Sequence, residues 1–299
     1  MKVVSRSPRA TKRPQPGKTD FGPALDAHRA KLQRLHRVRS SAQLVEMVDA
    51  VGFCFAFTGE AAYPVPACFD HLSTTDDGKK WEWMWPWKDE LPEAKKLYYG
   101  KLLMKKPTFV SMRMLPTFYA TFGRAGEDDD HLEDVRAGRL TDLARRVVEY
   151  LQHRGETQKK RMRADLGIES KDGRNDLERA IEELQRLMYV ARVRAVGERS
   201  DDYNYTYDLF VRRYPETVKA AERISSGEAS AALLRRLVEL SGGITAKQVG
   251  RLFEWTSDRT EKVIAKVTAD GGAVAVDGSL ILPAIARSTD RSSLQALAR

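Results

Sequence analysis

From residue 140 onward, apolar side chains recur every three or four positions and stop at turn signals. Leu140, Leu143, Val147, Val148 and Leu151 mark one face of a helix over 140–153, and Gly155 ends it. A short helix rich in Lys159, Lys160, Arg161 and Arg163 is predicted over 157–166. A third follows over 175–188, with Leu177, Ile181, Leu184 and Leu187 on one face. Segments 189–196 and 203–210 then read as a hairpin around the polar turn 197–202. The order repeats. A helix over 229–240 stops at Gly242-Gly243, and another over 245–255 has Thr245 as its N-cap. A third, capped by Ser257 or Asp258, runs to residue 269, before a hairpin of 273–276 with 280–282 around Asp277-Gly278. The predicted fold is mainly α with small β wings, built from tandem winged helix-turn-helix units.

The first half is less regular. Helical spacing with basic faces covers 24–51, through Leu25, Leu32, Leu35 and Val38 and then Leu44, Val45, Met47 and Val48. The run Phe53-Cys54-Phe55-Ala56-Phe57 alternates large and small, as a buried strand or a tight helical segment would. Pro64 and Pro66 break the chain, and Asp76-Asp77-Gly78 supplies turn chemistry. Trp81, Trp83, Trp85 and Trp87 then occupy alternate positions. A period of two predicts a ladder of indoles on one face of an extended strand, which Pro86 confines to an edge or an irregular segment. At least two of the four are expected in the core, because soluble proteins rarely expose so much aromatic area together. A basic helix is predicted over 93–104, an apolar and aromatic segment over 109–122, and a linker at the acidic run 127–130. The predicted units are therefore a disordered basic arm at 1–20, an N-terminal winged-helix-like unit with the aromatic insert at 21–135, winged helices at 136–216 and 217–286, and a flexible tail at 287–299.

The chain has 299 residues, enough for two or three domains, with a formal charge of +9. That balance favours a polyanionic partner held through phosphate contacts. The arm adds Lys2, Arg6, Arg9, Lys12, Arg13 and Lys18 before the first acid, Asp20. No apolar run reaches the length of a membrane span, and no secretory signal is evident. Cys54 and Cys68 are the only cysteines, which points to buried thiols in a reducing compartment, expected to be cytoplasmic. Five scattered histidines and no Cys-x-x-Cys motif support no metal site, and no cofactor is called for.

A helix-turn-helix sets its last helix in the major groove while the wing reaches the backbone or minor groove of double-stranded DNA. The candidate phosphate contacts in the first complete unit are Lys159, Lys160, Arg161, Arg163 and Arg174, with Arg192, Arg194 and Arg199 on its wing. In the second they are Lys247, Arg251, Arg259, Lys262 and Lys266, while Lys88, Lys95 and Lys96 flank the aromatic insert. Glu178, Glu182 and Glu183 on the 175–188 helix would repel phosphate, so that helix is expected to be packed or edge-on.

The segments Trp85-Pro-Trp-Lys-Asp-Glu-Leu-Pro, Leu97-Tyr-Tyr-Gly-Lys and Tyr207-Asp-Leu-Phe-Val-Arg-Arg-Tyr-Pro, with the paired winged helices around them, resemble the AlkZ/YcaQ-type winged-helix DNA glycosylases. The likeness covers most of 25–285 and is nearest to an AlkZ-related branch. It implies a C-shaped, DNA-binding body whose characterised relatives cut the N-glycosidic bond of alkylated or crosslinked purines. By the resemblance, the place of the family's catalytic signature, Gln-apolar-Gln or Gln-apolar-Asp, is expected at Phe53-Cys54-Phe55, and no counterpart of the family's C-terminal β-domain is expected.

Glycosidic hydrolysis needs a carboxylate or amide near the cationic sugar and a pocket for the extruded base. Asp89, directly after the tryptophans, is the first candidate and Glu60 the second. Trp85 and Trp87 are the candidate stacking surfaces, each base stacked being worth roughly 1–3 kcal/mol. The leading reading is a glycosylase that takes a damaged or modified base against the aromatic insert. A noncatalytic DNA-binding regulator or lesion sensor is the alternative, favoured by the missing glutamines, and a protein-interaction scaffold is the third.

Overall fold

The computed structural model describes residues 20–168, 170–197 and 203–289. The basic arm up to residue 19, Arg199 and the end of the tail lie outside them. In chain order the elements are α1 (Gly22–Leu35), α2 (Ser41–Val51), β1 (Phe53–Phe55), α3 (Cys68–His71), α4 (Asp77–Glu93), β2 (Leu97–Lys101), β3 (Pro107–Ser111), α5 (Leu115–Phe122) and α6 (Asp130–Arg136). Next come α7 (Asp142–Arg154), β4 (Thr157–Gln158), α8 (Lys159–Asp165), α9 (Lys171–Arg186), β5 (Val190–Val196) and β6 (Asn204–Leu209). After α10 (Phe210–Arg213) and α11 (Pro215–Ala221), the chain ends its described fold with α12 (Ser226–Ser241), β7 (Gly243–Thr245), α13 (Ala246–Phe253), α14 (Ser257–Ala269), β8 (Val274–Val276) and β9 (Ser279–Ile281).

One topology is used three times. The three-stranded antiparallel sheets have the orders β1-β3-β2, β4-β6-β5 and β7-β9-β8. In each, a short strand after the first helix pairs with the far strand of a later hairpin, and two helices intervene. This is the winged helix-turn-helix order expected for the two later units, and the N-terminal unit, expected to be winged-helix-like, shares it. There α3 and α4 fill the places of the two intervening helices.

Local chemistry sets the boundaries. Ser225 with Glu228 and Thr245 with Gln248 form capping boxes at α12 and α13, and Gly155 and Gly242 end α7 and α12 at positive φ. The cap of α14 is Thr256, one residue before the expected position, its hydroxyl accepting from the Arg259 N–H. Three expectations for the first half fail. The tryptophans lie on the helix α4 rather than on a strand. Residues 97–101 are a strand, not a helix, because Leu97 and Tyr98 pair with β3 and enter the core, and Lys95 turns the chain out of α4 at φ 53°. The acidic run does not simply link units: Asp130 accepts from the backbone N–H groups of Gly126 and Glu127 (2.7 and 3.1 Å) and opens α6.

The core is divided unevenly. One cluster joins the first and third units, from Val38 to Phe122 and from Ala231 to Leu280, and takes Met188, Ala191, Phe210 and Tyr214 from the middle. A second, from Leu140 to Leu209, belongs to the middle unit. Cys54 and Cys68 are buried free thiols, Sγ to Sγ 3.5 Å, in the first cluster. Among the described residues no helix is long and apolar enough to cross a membrane.

Arginines close helix ends, and four of the five below do so across units. The last carbonyls of a helix lack partners and carry partial negative charge. Arg236 donates to Val51 (3.0 Å) and Ala50 at the end of α2, and Arg29 to Ser241 (2.9 Å) at the end of α12. Arg213 donates to Glu93 (2.7 Å) on α4, Arg212 to Leu151 (3.2 Å) on α7 and Arg259 to Thr121 (2.9 Å) on α5. A good part of the basic charge is therefore structural. Arg236→Ala should cost about 1–2 kcal/mol, the scale of a charged hydrogen bond at a helix terminus, read as a lowered urea midpoint. No change in midpoint would mean that these donors are ornamental.

Candidate nucleic-acid interface

At 100° per residue, alternate positions on a helix diverge, while positions four apart converge. The tryptophans of α4 therefore split into two pairs. Met84, Lys88, Leu91 and Pro92 form the buried stripe. Trp81 and Trp85 flank it on one side and Trp83 and Trp87 on the other. Trp83 and Trp87 stack on each other (5.9 Å, 27°) and pack on the core. Trp81 leans on Phe57 and Phe69 (5.1 and 4.9 Å), and Trp85 on Tyr203 (5.4 Å), yet each remains 44% exposed. Asp76 caps the helix by accepting from the Lys79 N–H (3.1 Å). Pro86, inside it, supplies no N–H to the ladder.

The buried stripe contains a charge. Lys88 is 2% exposed, and its Nζ donates to Asp89 Oδ2 (2.6 Å) and to the Tyr203 hydroxyl (2.6 Å). The ammonium lies 4.1 Å from the Trp85 ring centre and 4.6 Å from that of Tyr203. Arg192 of β5, 4% exposed, is sandwiched between Tyr99 and Tyr205 (4.0 and 4.6 Å). It donates to the Lys88 carbonyl and approaches Asp89 Oδ1 at 3.1 Å, an ion pair outside hydrogen-bond alignment. Burial pulls the Lys88 amine down to about 8; Asp89 resists this and Arg192 adds to it. Two cations and one carboxylate thus lie where the first and middle units meet. Behind Arg192, Tyr99 and Tyr205 a cleft of about 230 Å³ opens toward Glu178 and Glu182 of α9.

The sequence profile of a family described as AlkZ related matches residues 38–254. The chain belongs to the AlkZ-related family. Among solved structures, the DNA glycosylase AlkZ of Streptomyces sahachiroi is similar at 13% identity, with a TM-score of 0.51 over 89% of this chain and 71% of that one. At that identity the likeness is one of fold. No curated protein matches the chain in sequence.

In this AlkZ-related chain the strip expected to carry the family's catalytic signature is β1. Phe53, Cys54 and Phe55 are completely or almost completely buried, paired with Val110, Phe109 and Thr108. Glu60 stands in the loop after it, ion-paired with Lys106, and Asp89 lies in the separate Lys88–Arg192 cluster. Among the described residues, Glu60 and Asp89 share no ion-pair partner.

The predicted phosphate contacts sort by burial and pairing. Lys88 and Arg192 are interior charges, which corrects their reading as surface contacts. Lys159 pairs with Glu178, Arg161 with Asp165 (2.8 Å), Arg194 with Glu156 and Lys262 with Asp258 (2.9 Å). Arg163 is half-buried, and Lys160 is exposed with its backbone N–H donating to Asn204. Lys95, Lys96 and Arg174 are exposed without a side-chain ion pair among the described residues. On α9, Glu182 pairs with Lys101 and Gln185 accepts from the Lys101 N–H (2.9 Å), so that helix packs on β2. Tyr99, Tyr203 and Tyr205 complete the cluster; in the sequence, the alternation of Tyr203, Tyr205 and Tyr207 is a signal for the last two, and Tyr99 has none.

Proposed function

We propose that this AlkZ-related chain binds duplex DNA at sites of altered or missing bases and does not itself hydrolyse the glycosidic bond. The observation that carries this is the apolar, buried strip of β1. It offers no carboxylate or amide side chain to orient water, while the fold keeps three winged helix-turn-helix units in one body. Net basicity and the exposed Lys95, Lys96 and Arg174 support phosphate contact, and Trp85 offers a half-exposed ring to a displaced base, with Trp87 held against the core. Hydrolysis with Asp89 stabilising the cationic sugar is the second reading. It is favoured by the position of this carboxylate beside Trp85, with 14% of its side chain exposed.

Affinity for plain duplex should fall about a hundredfold between 50 and 200 mM salt, as expected for about four phosphate contacts. Lys96→Glu and Arg174→Glu should each weaken binding on any sequence. Salt-independent binding would defeat the DNA reading. Incubation with duplexes bearing alkylated or crosslinked purines should leave the strand free of new abasic sites. If they form, and Asp89→Asn abolishes them while binding persists, the hydrolytic reading takes its place.

A further inference from the structure

We propose that Lys88 is a nucleophilic amine that forms an imine with an aldehyde, its substrate being the ring-opened deoxyribose of an abasic site. This rests on the DNA-binding reading above and names the group that would hold such a site. The reaction that supplies the aldehyde is glycosidic hydrolysis by another agent.

The position of the amine argues for it. A lysine in an ordinary core would be replaced by an apolar side chain, because burying an ammonium is costly. This one is kept neutralisable by two arrangements that activate lysines: removal from water and a neighbouring cation, here Arg192. Burial and the Arg192 charge lower the pKa of this amine, so its neutral, nucleophilic form is more accessible near pH 7 than that of an ordinary lysine. Asp89 Oδ2, at 2.6 Å, is placed to take the ammonium proton. The amine is one ring below solvent, covered by Trp85 and Tyr203, and Trp85 is 44% exposed. A side-chain rotation of the exposed Trp85, the kind of motion exposed residues make in nanoseconds, would open the path.

The chemistry is closed. Asp89 accepts a proton from Nζ, whose lone pair attacks the C1′ aldehyde carbon. The carbonyl electrons move to oxygen, which takes a second proton from Nζ to give the carbinolamine; the proton held by Asp89 then lets the hydroxyl leave as water, which leaves a protonated imine and restores the carboxylate. Nothing is oxidised or reduced. Added cyanoborohydride then delivers hydride to the imine carbon and fixes the adduct as a secondary amine.

The full chain would be incubated with a duplex carrying one abasic site and cyanoborohydride, with a tetrahydrofuran analogue, which has no aldehyde, as control. A covalent complex is expected with the first duplex alone, and peptide mass analysis should place it on Lys88. Mapping matters, because the α-amino group has an ordinary pKa of about 7.7–8.0 and would give a similar pH profile. Lys88→Arg, which keeps the charge beside Asp89, should lower the yield at least tenfold with its thermal melt as the check on folding. An adduct on the N-terminus, Lys95 or Lys96 of the unaltered protein overturns the proposal, as does no adduct while the tetrahydrofuran duplex is bound. If neither duplex is bound, the DNA reading has failed, and acetaldehyde with cyanoborohydride decides the amine separately. Selective labelling of Lys88 sustains its reactivity, and labelling only of surface amines refutes it.

Discussion

Replacing Phe210 by alanine is expected to destabilise the protein by about 3–5 kcal/mol, the range for removing a buried phenylalanine. Its ring is fully buried, stacked on Tyr119 (4.9 Å, 15°) and in contact with Tyr98 (5.7 Å) and Tyr214 (5.1 Å). Tyr98 belongs to β2 and Tyr119 to α5, so one side chain of the short helix α10 docks the end of the middle unit into the core of the first. The loss has two parts: apolar area returned to a void that its neighbours cannot fill, and aromatic pairs worth about 0.5–1.5 kcal/mol each beyond that area. Equilibrium urea unfolding gives the number. The conservative Phe210→Leu should retain most of the stability, because volume rather than ring geometry is the larger component. If alanine costs less than about 1 kcal/mol, the middle unit is not anchored here and the continuity of the large core is without energetic meaning.

Asp134→Ala should rank next, at about 3 kcal/mol, the lower end of the cost of removing one partner from a buried ion pair. The carboxylate of Asp134 is completely buried. It takes hydrogen bonds from Arg124 (3.2 Å), Arg139 (2.6 Å) and the Tyr189 hydroxyl (2.9 Å). The lower end applies because the arginines keep contact with water and can resolvate. Burial alone would raise the pKa of this carboxyl, but the hydrogen bonds from Arg124 and Arg139 and the Arg124 charge carry it below the ordinary value. The sign of the pH effect follows. A depressed folded pKa stabilises the protein fully above the unfolded value, about 3.9, and that contribution disappears as pH falls through the folded value. Asp134→Asn should therefore lose more stability relative to the parent at pH 7 than at pH 3, the deficit shrinking as pH falls below about 3.9. An equal deficit at both pH values would show that shape, not charge, sets the effect.

What could be read in advance depended on whether the deciding interaction was local. The helices of the middle and last units were legible because Thr245, Gly155 and Gly242 sit at their ends and the apolar spacing is regular. The Asp277-Gly278 turn likewise fixed the last hairpin. In α4 the local signal pointed the wrong way. Alternating tryptophans suggest a strand, but a helix with a narrow buried stripe can carry large rings on both flanks, two at each side. Lys88 looked like a phosphate contact because charge in a sequence normally means surface. Its burial depends on Arg192, Tyr203 and Tyr205, more than a hundred residues away. The arginines at helix ends were hidden for the same reason: Arg236 and Val51 are 185 positions apart. Asp89 stands out in the sequence as a carboxylate beside the tryptophans, but its tie to the distant Arg192 leaves no local mark.

The shared core of the first and third units also has a consequence for biosynthesis. On the ribosome, the partners of α5 in α12 are made about a hundred residues after Phe122. At synthesis rates of 5–20 residues per second that is a wait of about 5–20 s. During it the aromatic face of residues 53–122 stands without its cover, while the middle unit, which closes its own core, can already be folded. The nascent chain should thus be most vulnerable to proteases and to self-association in that interval, and the last unit to emerge is the one that ends it.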